Sequence, residues 1–353
     1  MNGTVGRFRP WPGGILAFVG IVLLALSPLF LDPSYVTILL FSFLFLVLAA
    51  NYDLVGGYLG YVNLGQGAFF GIGAYVVVVL LNNKGMETLG APAIIIATVV
   101  GLALTVLFAA ATSFPLFRLK GAYFAIVTIT LVLLLQILVV NFPNLTGGSF
   151  GIYVPTQFYM DKYVAFYLAL ALASGSVLMN YLISRSSTGL AFKCIREDEE
   201  AAAAVGINTF RHKQLGLVLS SAPSSLAGTV FALSSGYIDH EMALGLERTL
   251  LPPMMAMLGG TGLVMGPVLG TAIVRAIDIV VFHYVSLPIP SLLFYGLILM
   301  FIGLFMPEGV LSSPRITGIF KRGASVRAAP AAAPTSTLAA ASDEADPKRS
   351  GQS

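Results

Sequence analysis

The chain has 353 residues, of which 57% are hydrophobic and only 10% are charged, and its formal net charge is +3. Soluble domains carry roughly 25% charged residues, so this composition excludes an ordinary soluble protein. The single cysteine, Cys194, excludes an internal disulfide and a cysteine-based metal cluster.

Apolar segments long enough to cross a hydrocarbon core, which takes about 20 helical residues, recur along the chain. They do not show the alternation of polar and apolar residues that is typical of a membrane β-barrel. We therefore expect an all-α polytopic membrane protein of about ten spans (8–10), with broken or re-entrant segments. The candidate spans are 14–31, 35–52, 59–81, 92–114, 121–140, 163–184, 213–235, 249–263, 265–285 and 290–306.

The eighth segment, 249–263, is short and contains Pro252, Pro253 and a cluster of glycines. Non-helical backbone is tolerated at membrane depth only when protein or a water-filled cavity covers it. The segment is predicted to be re-entrant or a pair of half-helices. In the next segment Arg275 and Asp278 are spaced to pair on one helical face.

Basic residues concentrate near both termini and in the links 115–120 and 185–212, which the positive-inside rule assigns to the cytoplasm. Ten spans place both termini on that same side. The predicted organisation is a cytoplasmic N-terminus (1–13), a transmembrane domain (14–306) and a largely disordered cytoplasmic tail (307–353). Asp53, at the cytoplasmic end of the second span, is expected to be solvated.

The link 185–212, which we call the charged loop, contains the stretch REDEEAAAAVG from Arg196 to Gly206. Ser187 or Thr188 can cap a first short helix over about 189–195, and Asp198 can cap a second. Acids in its first turn and the alanines that follow favour this second helix, and Gly206 suits its end. So short a helix is marginal alone, so it needs a surface to pack on.

The spacing Glu200-Ala201-Ala202-x-x-x-Gly206 resembles the EAA loop of ABC-importer permeases. The whole loop is similar to that of the LivM-type permeases of branched-chain amino acid importers. Four further segments agree with that family in order and position. They are LVGGYLGYVNLGQGAFFGIGAYV (54–76), RLKGAYFAIVTIT (118–130), LTGGSFGI (145–152) and GGTGLVMGPVLGTAI (259–273). The resemblance covers about residues 35–306 and implies an ABC-importer permease fold.

The resemblance implies that the charged loop docks into a groove on a cytoplasmic ATPase. The residues assigned to docking are Arg196, Glu197, Asp198, Glu199, Glu200, Ala201, Ala202 and Gly206. The chain contains no GxxxxGK[ST] phosphate loop, so ATP and Mg²⁺ are expected in partner subunits and no cofactor in this chain. The implied partners are a second permease subunit, two ATPase subunits and an extracytoplasmic binding protein, at a bacterial inner membrane.

Polar residues and glycines at membrane depth mark the candidate translocation path, because such residues usually face a protein interior or a cavity. The candidates are Asn63, Gly65, Gln66, Gly67, Thr128, Thr130, Gly259 and Gly260. Helix packing with interhelical hydrogen bonds is the alternative role for each of them.

The sequence favours a transport subunit for branched-chain or other hydrophobic amino acids and not an enzyme. A permease for urea or short amides is the first alternative, because permeases of similar sequence carry those solutes. A stand-alone secondary transporter or channel is the second alternative, although no Asp/Glu/His relay suited to proton coupling is evident in the spans.

Overall fold

A computed structural model describes residues 12–279 together with 296, 297 and 300. They all lie within the first of two compact units, 1–313, and the second unit is 314–353. The predicted span 290–306 lies largely outside the described residues, as does the end of the span 265–285. The N-terminal segment 1–13 is described only from residue 12, and the predicted tail 307–353 is not described.

The described residues are mainly helical, with 3₁₀ turns at Ser27–Leu29, Gly148–Phe150 and Thr156–Phe158. The first seven helices are α1 (Pro12–Leu26), α2 (Pro33–Asp53), α3 (Gln66–Leu81), α4 (Lys84–Glu87), α5 (Ala91–Leu116), α6 (Ala122–Asn141) and α7 (Pro143–Thr146). The next seven are α8 (Lys162–Ser184), α9 (Ser187–Glu197), α10 (Glu199–Ala204), α11 (Thr209–Ser235), α12 (His240–Leu244), α13 (Leu246–Gly259) and α14 (Gly266–Asp278).

Five of the described helical segments are long and apolar enough to cross a membrane: Pro33–Tyr58, Ala91–Leu116, Ala122–Asn141, Lys162–Ser184 and Thr209–Ser235. This confirms a polytopic helical membrane protein, while the number of ten spans stays a prediction. Side chains of α2, α3, α8, α11 and α13 form the main buried core, for example Val47, Val77, Phe166, Phe231 and Met255.

The predicted span 59–81 is shorter in the structure than its composition indicates. The helix α2 continues into a π-helical turn at Leu54–Tyr58, and the backbone from 60 to 65 is not helical before α3 begins at Gln66. Gly60 has a φ of 78°, a conformation that favours glycine, and so the chain turns there. The apolar residues that prolonged the predicted span therefore belong to a turn.

Two short strands depart from the all-helical expectation. β1 (Ile152–Tyr153) pairs antiparallel with β2 (Tyr237–Ile238), with Ile152 opposite Ile238 and Tyr153 opposite Tyr237. β1 precedes α8 and β2 follows α11, whereas the charged loop joins the other ends of these two helices. The ribbon therefore lies at the end of the bundle opposite the charged loop.

Glycines allow α3 and α11 to approach closely. A Cβ at Gly73 would lie 2.2 Å from the carbonyl oxygen of Ser225, and one at Gly228 would lie 2.0 Å from that of Phe70. No side chain fits at either position, which is typical of small-residue contacts between membrane helices.

The segment from α12 to α13 runs inside the bundle. The Leu244 side chain packs on Gly71 of α3, where an added Cβ would lie 2.2 Å from Leu Cδ2. The helix α13 then continues through Pro252 and Pro253 without a break. The break predicted at the glycine cluster does occur, because α13 ends at Gly259 and a turn precedes α14, and a further interruption lies earlier, at Gly245. An interior proline removes one helical hydrogen bond, and here the close packing of α14 supports the helix. A Cβ at Gly270 would lie only 1.7 Å from the Met255 carbonyl.

Candidate functional site

The charged loop contains the two short helices that its sequence predicts. The first, α9, begins at Ser187, two residues earlier than expected, because Ser186 caps it by accepting a hydrogen bond from Gly189 N at 3.2 Å. Its inner face buries Phe192 and Ile195 against Leu54 and Leu59, at the end of α2 and in the turn that follows. Apolar burial thus fixes α9 on the bundle.

The second helix, α10, follows the predicted pattern of caps. The Asp198 carboxylate accepts hydrogen bonds from Glu200 N at 2.9 Å and Ala201 N at 3.0 Å. Glu199 and Glu200 occupy its first turn, where acids interact favourably with the helix dipole. Gly206 has a φ of 91°, which only glycine adopts without strain, and the chain turns there toward α11.

A buried cation anchors α10 to α11. Lys213 Nζ lies 2.6 Å from Glu199 Oε1, and Tyr61 Oη donates to Glu199 Oε2 at 2.7 Å. The Lys213 side chain is only 4% exposed and lies over the rings of Tyr61 and Phe117. Burial would raise the pKa of Glu199, but the hydrogen bonds from Lys213 and Tyr61 and the lysine charge outweigh it and lower this pKa.

A second set of contacts joins α9, the π-helical turn and the turn between α13 and α14. The Arg196 guanidinium donates to the Gly57 carbonyl. Gly262 N donates to Asp53 Oδ1 at 2.8 Å, and a Cβ at Gly57 would lie 2.4 Å from that same nitrogen. Asp53 is fully buried, so the expectation that it is solvated was wrong. The turn 260–265 covers it, which a one-dimensional sequence does not reveal.

The structure divides the predicted docking residues between two faces. Ala202 is 3% exposed and packs inward, while Arg196 and Glu199 bond to the bundle as described. The residues with exposed side chains on the outer face are Glu197, Asp198, Glu200 and Ala201. Glu200 is 89% exposed at the side chain and lies 3.8 Å from Lys120. The part of the outer face from Glu197 to Ala201 is therefore acidic with a small apolar patch, while Lys193 is an exposed base elsewhere in the loop.

Most of the predicted path residues near the start of α3 come together in one buried polar cluster. Asn63 Oδ1 accepts from Gly65 N at 2.9 Å, and the Thr128 hydroxyl accepts from Leu64 N at 3.1 Å. Gln66 Oε1 accepts from the Ser224 hydroxyl at 3.2 Å. The void beside Asn63, Gly65 and Thr128 measures only about 10 Å³, about the space of one water molecule.

The remaining path residues lie apart from this cluster or serve close packing. A Cβ at Gly67 would lie 2.8 Å from Thr249 Oγ1. Thr130 is exposed on α6 and donates to its own helix at Ile126 O. Gly259 contacts the Gly266 carbonyl, and Gly260 has a φ of 113° in the turn after α13. Their role in transport stays a prediction.

Arg248 is not among the predicted site residues. It lies in the link between the candidate spans 213–235 and 249–263, but the structure places it over the ring of Phe45 in α2. The predicted pair Arg275 and Asp278 does form, and Arg275 also lies over Phe45. The sequence contained one signal that Arg248 is buried. It directly precedes the segment predicted to be re-entrant, and the start of a re-entrant helix is buried only if the preceding link also enters the bundle.

The family model "Branched-chain amino acid transport system / permease component" matches residues 34–303. The chain belongs to this family. The match spans the described bundle, from the first turn of α2 through α14, and includes the charged loop. The family consists of transport permeases and not of enzymes.

Individual relatives agree with this. The high-affinity branched-chain amino acid transport system permease protein LivM of Escherichia coli (strain K12) is 27% identical over 343 residues, covering 88% of this chain and 77% of the relative. LivH of the same organism is 25% identical over 293 residues, covering 76% and 92%. The autoinducer 2 import system permease protein LsrC of Klebsiella pneumoniae is 32% identical over 117 residues, covering 32% and 33%. No solved structure matches the chain significantly.

Proposed function

We propose that this chain is the transmembrane permease subunit of an ATP-driven importer for branched-chain or similar hydrophobic amino acids. In this proposal the outer face of the charged loop docks on a separate ATPase subunit. The family and the LivM relative support the solute class. The bonds that fasten the inner face of the loop to the bundle support the docking role.

The arrangement of the charged loop carries the proposal. Glu199 and Arg196 tie its inner face to α11 and to the π-helical turn. A force applied to the outer face would therefore reach these helices, and through Asp53 and Gly262 the turn before α14. A solvated linker would need no caps and no buried ion pair.

The complete importer in this proposal contains a second permease subunit, two ATPase subunits that bind ATP and Mg²⁺, and an extracytoplasmic binding protein. The family includes both LivM and LivH permeases, which supports a heterodimeric pairing. The importer lies in a bacterial inner membrane, with the charged loop and both termini in the cytoplasm.

Ala201→Arg tests the docking role, because Ala201 is exposed while the neighbouring Ala202 is buried. We expect the variant to reduce the ATPase that copurifies with the permease by about tenfold or more, because a docked surface would bury an unpaired charge. Uptake of leucine into vesicles should fall in parallel. Ala202→Arg is a poorer test, since it would also displace α10 from the bundle.

The matched control is Ala91→Arg, at an exposed position at the other end of the bundle. It should retain both ATPase and uptake. Normal copurification and normal uptake with Ala201→Arg would refute the docking role. Leucine uptake that persists in vesicles without ATP would instead favour a secondary transporter, and uptake of urea in place of leucine would favour the short-amide alternative.

A further inference from the structure

Arg248 lies among aromatic rings between the membrane-spanning helices. Its guanidinium carbon is 4.9 Å from the ring centre of Phe45, 5.1 Å from that of Phe231 and 5.8 Å from that of Phe70. The side chain is only 13% exposed. Phe45 is near the middle of the span-length segment Pro33–Tyr58, so the cation lies well inside the bundle. Ionisable residues at such depth commonly mark a solute pathway.

The charges around Arg248 balance. Its Nη1 lies 3.3 Å from Glu247 Oε1. Arg275 pairs with Asp278, donates from Nε to Ser42 Oγ at 3.2 Å, and lies 5.5 Å from the ring centre of Phe45. Two guanidinium groups thus lie over one aromatic ring, and each is paired with a carboxylate. A zwitterion adds no net charge to such a group, whereas an isolated anion or cation does.

A cavity of about 320 Å³ opens beside these charges. This volume lies within the range of roughly 300–1,000 Å³ that is usual for small-molecule sites. The side chains of Glu247, Arg248 and Arg275 line it together with aromatic rings, and it extends to Tyr237 of strand β2 and to Met242 of α12. Its wall is thus partly charged and partly apolar.

The cavity reaches the end of the bundle that lies opposite the charged loop, because Tyr237 belongs to the ribbon there. A second void of about 10 Å³ adjoins it, with Leu44, Leu48 and Phe70 among its lining residues. Apolar surface therefore continues inward from the charged groups. A ligand with a charged head and an aliphatic side chain matches this arrangement.

We propose that this cavity is the site at which the permease binds its solute, as an amphipathic zwitterion. Arg248 and Arg275 bind the carboxylate of an amino acid, because guanidinium groups match carboxylates and their five N–H donors can serve more than one acceptor. Glu247 binds the ammonium group, and the aromatic wall accommodates the aliphatic side chain. The substrate class rests on the proposed function, but the location of the site rests on the geometry.

Arg248→Gln in the complete importer, reconstituted in liposomes with ATPase subunits and binding protein, separates this role from a structural one. Leucine uptake should fall by about tenfold or more, since a hydrogen bond to a charged group is lost at the site. ATP hydrolysis stimulated by the leucine-loaded binding protein should persist, so the ATP hydrolysed per leucine imported rises about tenfold.

The control variant is Arg118→Gln, in which an exposed arginine over the ring of Phe114 is changed outside the cavity. It should leave the ratio of ATP hydrolysed to leucine imported unchanged. A parallel loss of uptake and ATP hydrolysis in Arg248→Gln would overturn the proposal, because it would show that Arg248 only holds the bundle together. Unchanged uptake would overturn it as well.

A labelling experiment tests the site without transport. Ser235→Cys, placed on the cavity wall in a Cys194→Ser background, provides the one thiol of the chain. Leucine should slow its reaction with a small charged thiol reagent several-fold. Leucinamide, which lacks the carboxylate, and isocaproate, which lacks the ammonium group, should protect much less, and urea not at all.

The two experiments can fail separately. If the wild-type importer carries no amino acid while leucine still protects Ser235→Cys, the proposed function is wrong and the zwitterion site stands. If the wild type imports leucine but leucine and urea protect equally or not at all, the function stands and the site proposal is overturned.

Discussion

The charged loop and the segment α12–α13 are built from similar parts and lie in opposite surroundings. Each contains an aspartate that caps a short helix: Asp198 accepts from Glu200 N and Ala201 N, and Asp239 from Glu241 N and Met242 N. A glycine follows each short helix. Yet α10 lies on the surface of the bundle, while α12 enters it beside α3.

Both regions also hold a cation that pairs with a glutamate and lies over aromatic rings. Lys213 is enclosed at 4% exposure and bonded to both Glu199 and Tyr61, so its pair acts as a joint between two helices. Arg248 pairs with Glu247 at the longer distance of 3.3 Å and borders a cavity. The comparison teaches that similar local chemistry can fasten a structure or form a binding site, according to the space beside it.

The largest difference in stability between the two regions should come from adding a Cβ to the glycines that follow the two short helices. A Cβ at Gly245 would lie 2.2 Å from the Glu241 carbonyl, whereas nothing lies within 4 Å of one at Gly206. Gly245→Ala should therefore destabilise the protein by about 1–3 kcal/mol through overpacking. Gly206→Ala should cost only about 1 kcal/mol, for its left-handed backbone.

Thermal unfolding of the two purified variants in detergent measures this difference. Gly175→Ala is the control, because its added Cβ meets nothing within 4 Å and its φ is ordinary. Equal shifts in Tm for Gly245→Ala and Gly206→Ala would show that the backbone after α12 has room for a Cβ, contrary to the described contact with the Glu241 carbonyl.

The same contrast explains what the sequence could predict. Asp198 and Gly206 act on their own backbone neighbours, so the caps and the bend of the charged loop follow from a few adjacent residues. The long apolar helices are predicted for the same reason, as in the span 92–114, which forms Ala91–Leu116. The course of α12 depends instead on Gly71, remote in sequence, which leaves room for Leu244.

The burial of two other charged residues could not be predicted either, because their partners are remote in sequence. Asp53 is buried because Gly262 reaches it from 209 positions further along the chain. Arg248 lies deep in the bundle because α2 and α11 supply its aromatic neighbours. In the sequence, Asp53 and Arg248 lie at the ends of predicted spans, where charged side chains are usually solvated. They are buried only because of how the helices pack.

The second largest difference in stability between the two regions should come from neutralising the glutamate of each ion pair. Glu199→Gln should cost about 1.5 kcal/mol at neutral pH, since Lys213 is buried and a hydrogen bond between charged groups is weakened. The pKa of Glu199 is lowered from its ordinary 4.5, so the stability is present above pH 4.5 and is lost as pH falls through the lowered value. The stabilities of wild type and variant should converge only in that acid range.

Glu247→Gln is the counterpart in the other region. Its side chain is 44% exposed, so we expect little change in stability at any pH in the same unfolding series. Leucine uptake should fall if the carboxylate binds the ammonium group. A stability loss as large as that of Glu199→Gln would show that both pairs are joints, which would remove the contrast between the two regions.

The capping aspartates should give small losses of stability that are similar in the two regions. Asp198→Ala and Asp239→Ala each remove a side chain that accepts two backbone N–H groups, and a lost cap costs about 1 kcal/mol. The functional results should nevertheless diverge. Asp198→Ala should loosen α10 and reduce the copurifying ATPase, while Asp239→Ala should loosen α12 beside the cavity and raise the ATP hydrolysed per leucine imported. Asparagine at either position keeps a capping oxygen and should restore both readouts. If the two alanine variants had identical functional profiles, the two short helices would serve one common role. Different profiles could not come from the loss of stability alone, because that loss is expected to be equal in the two variants.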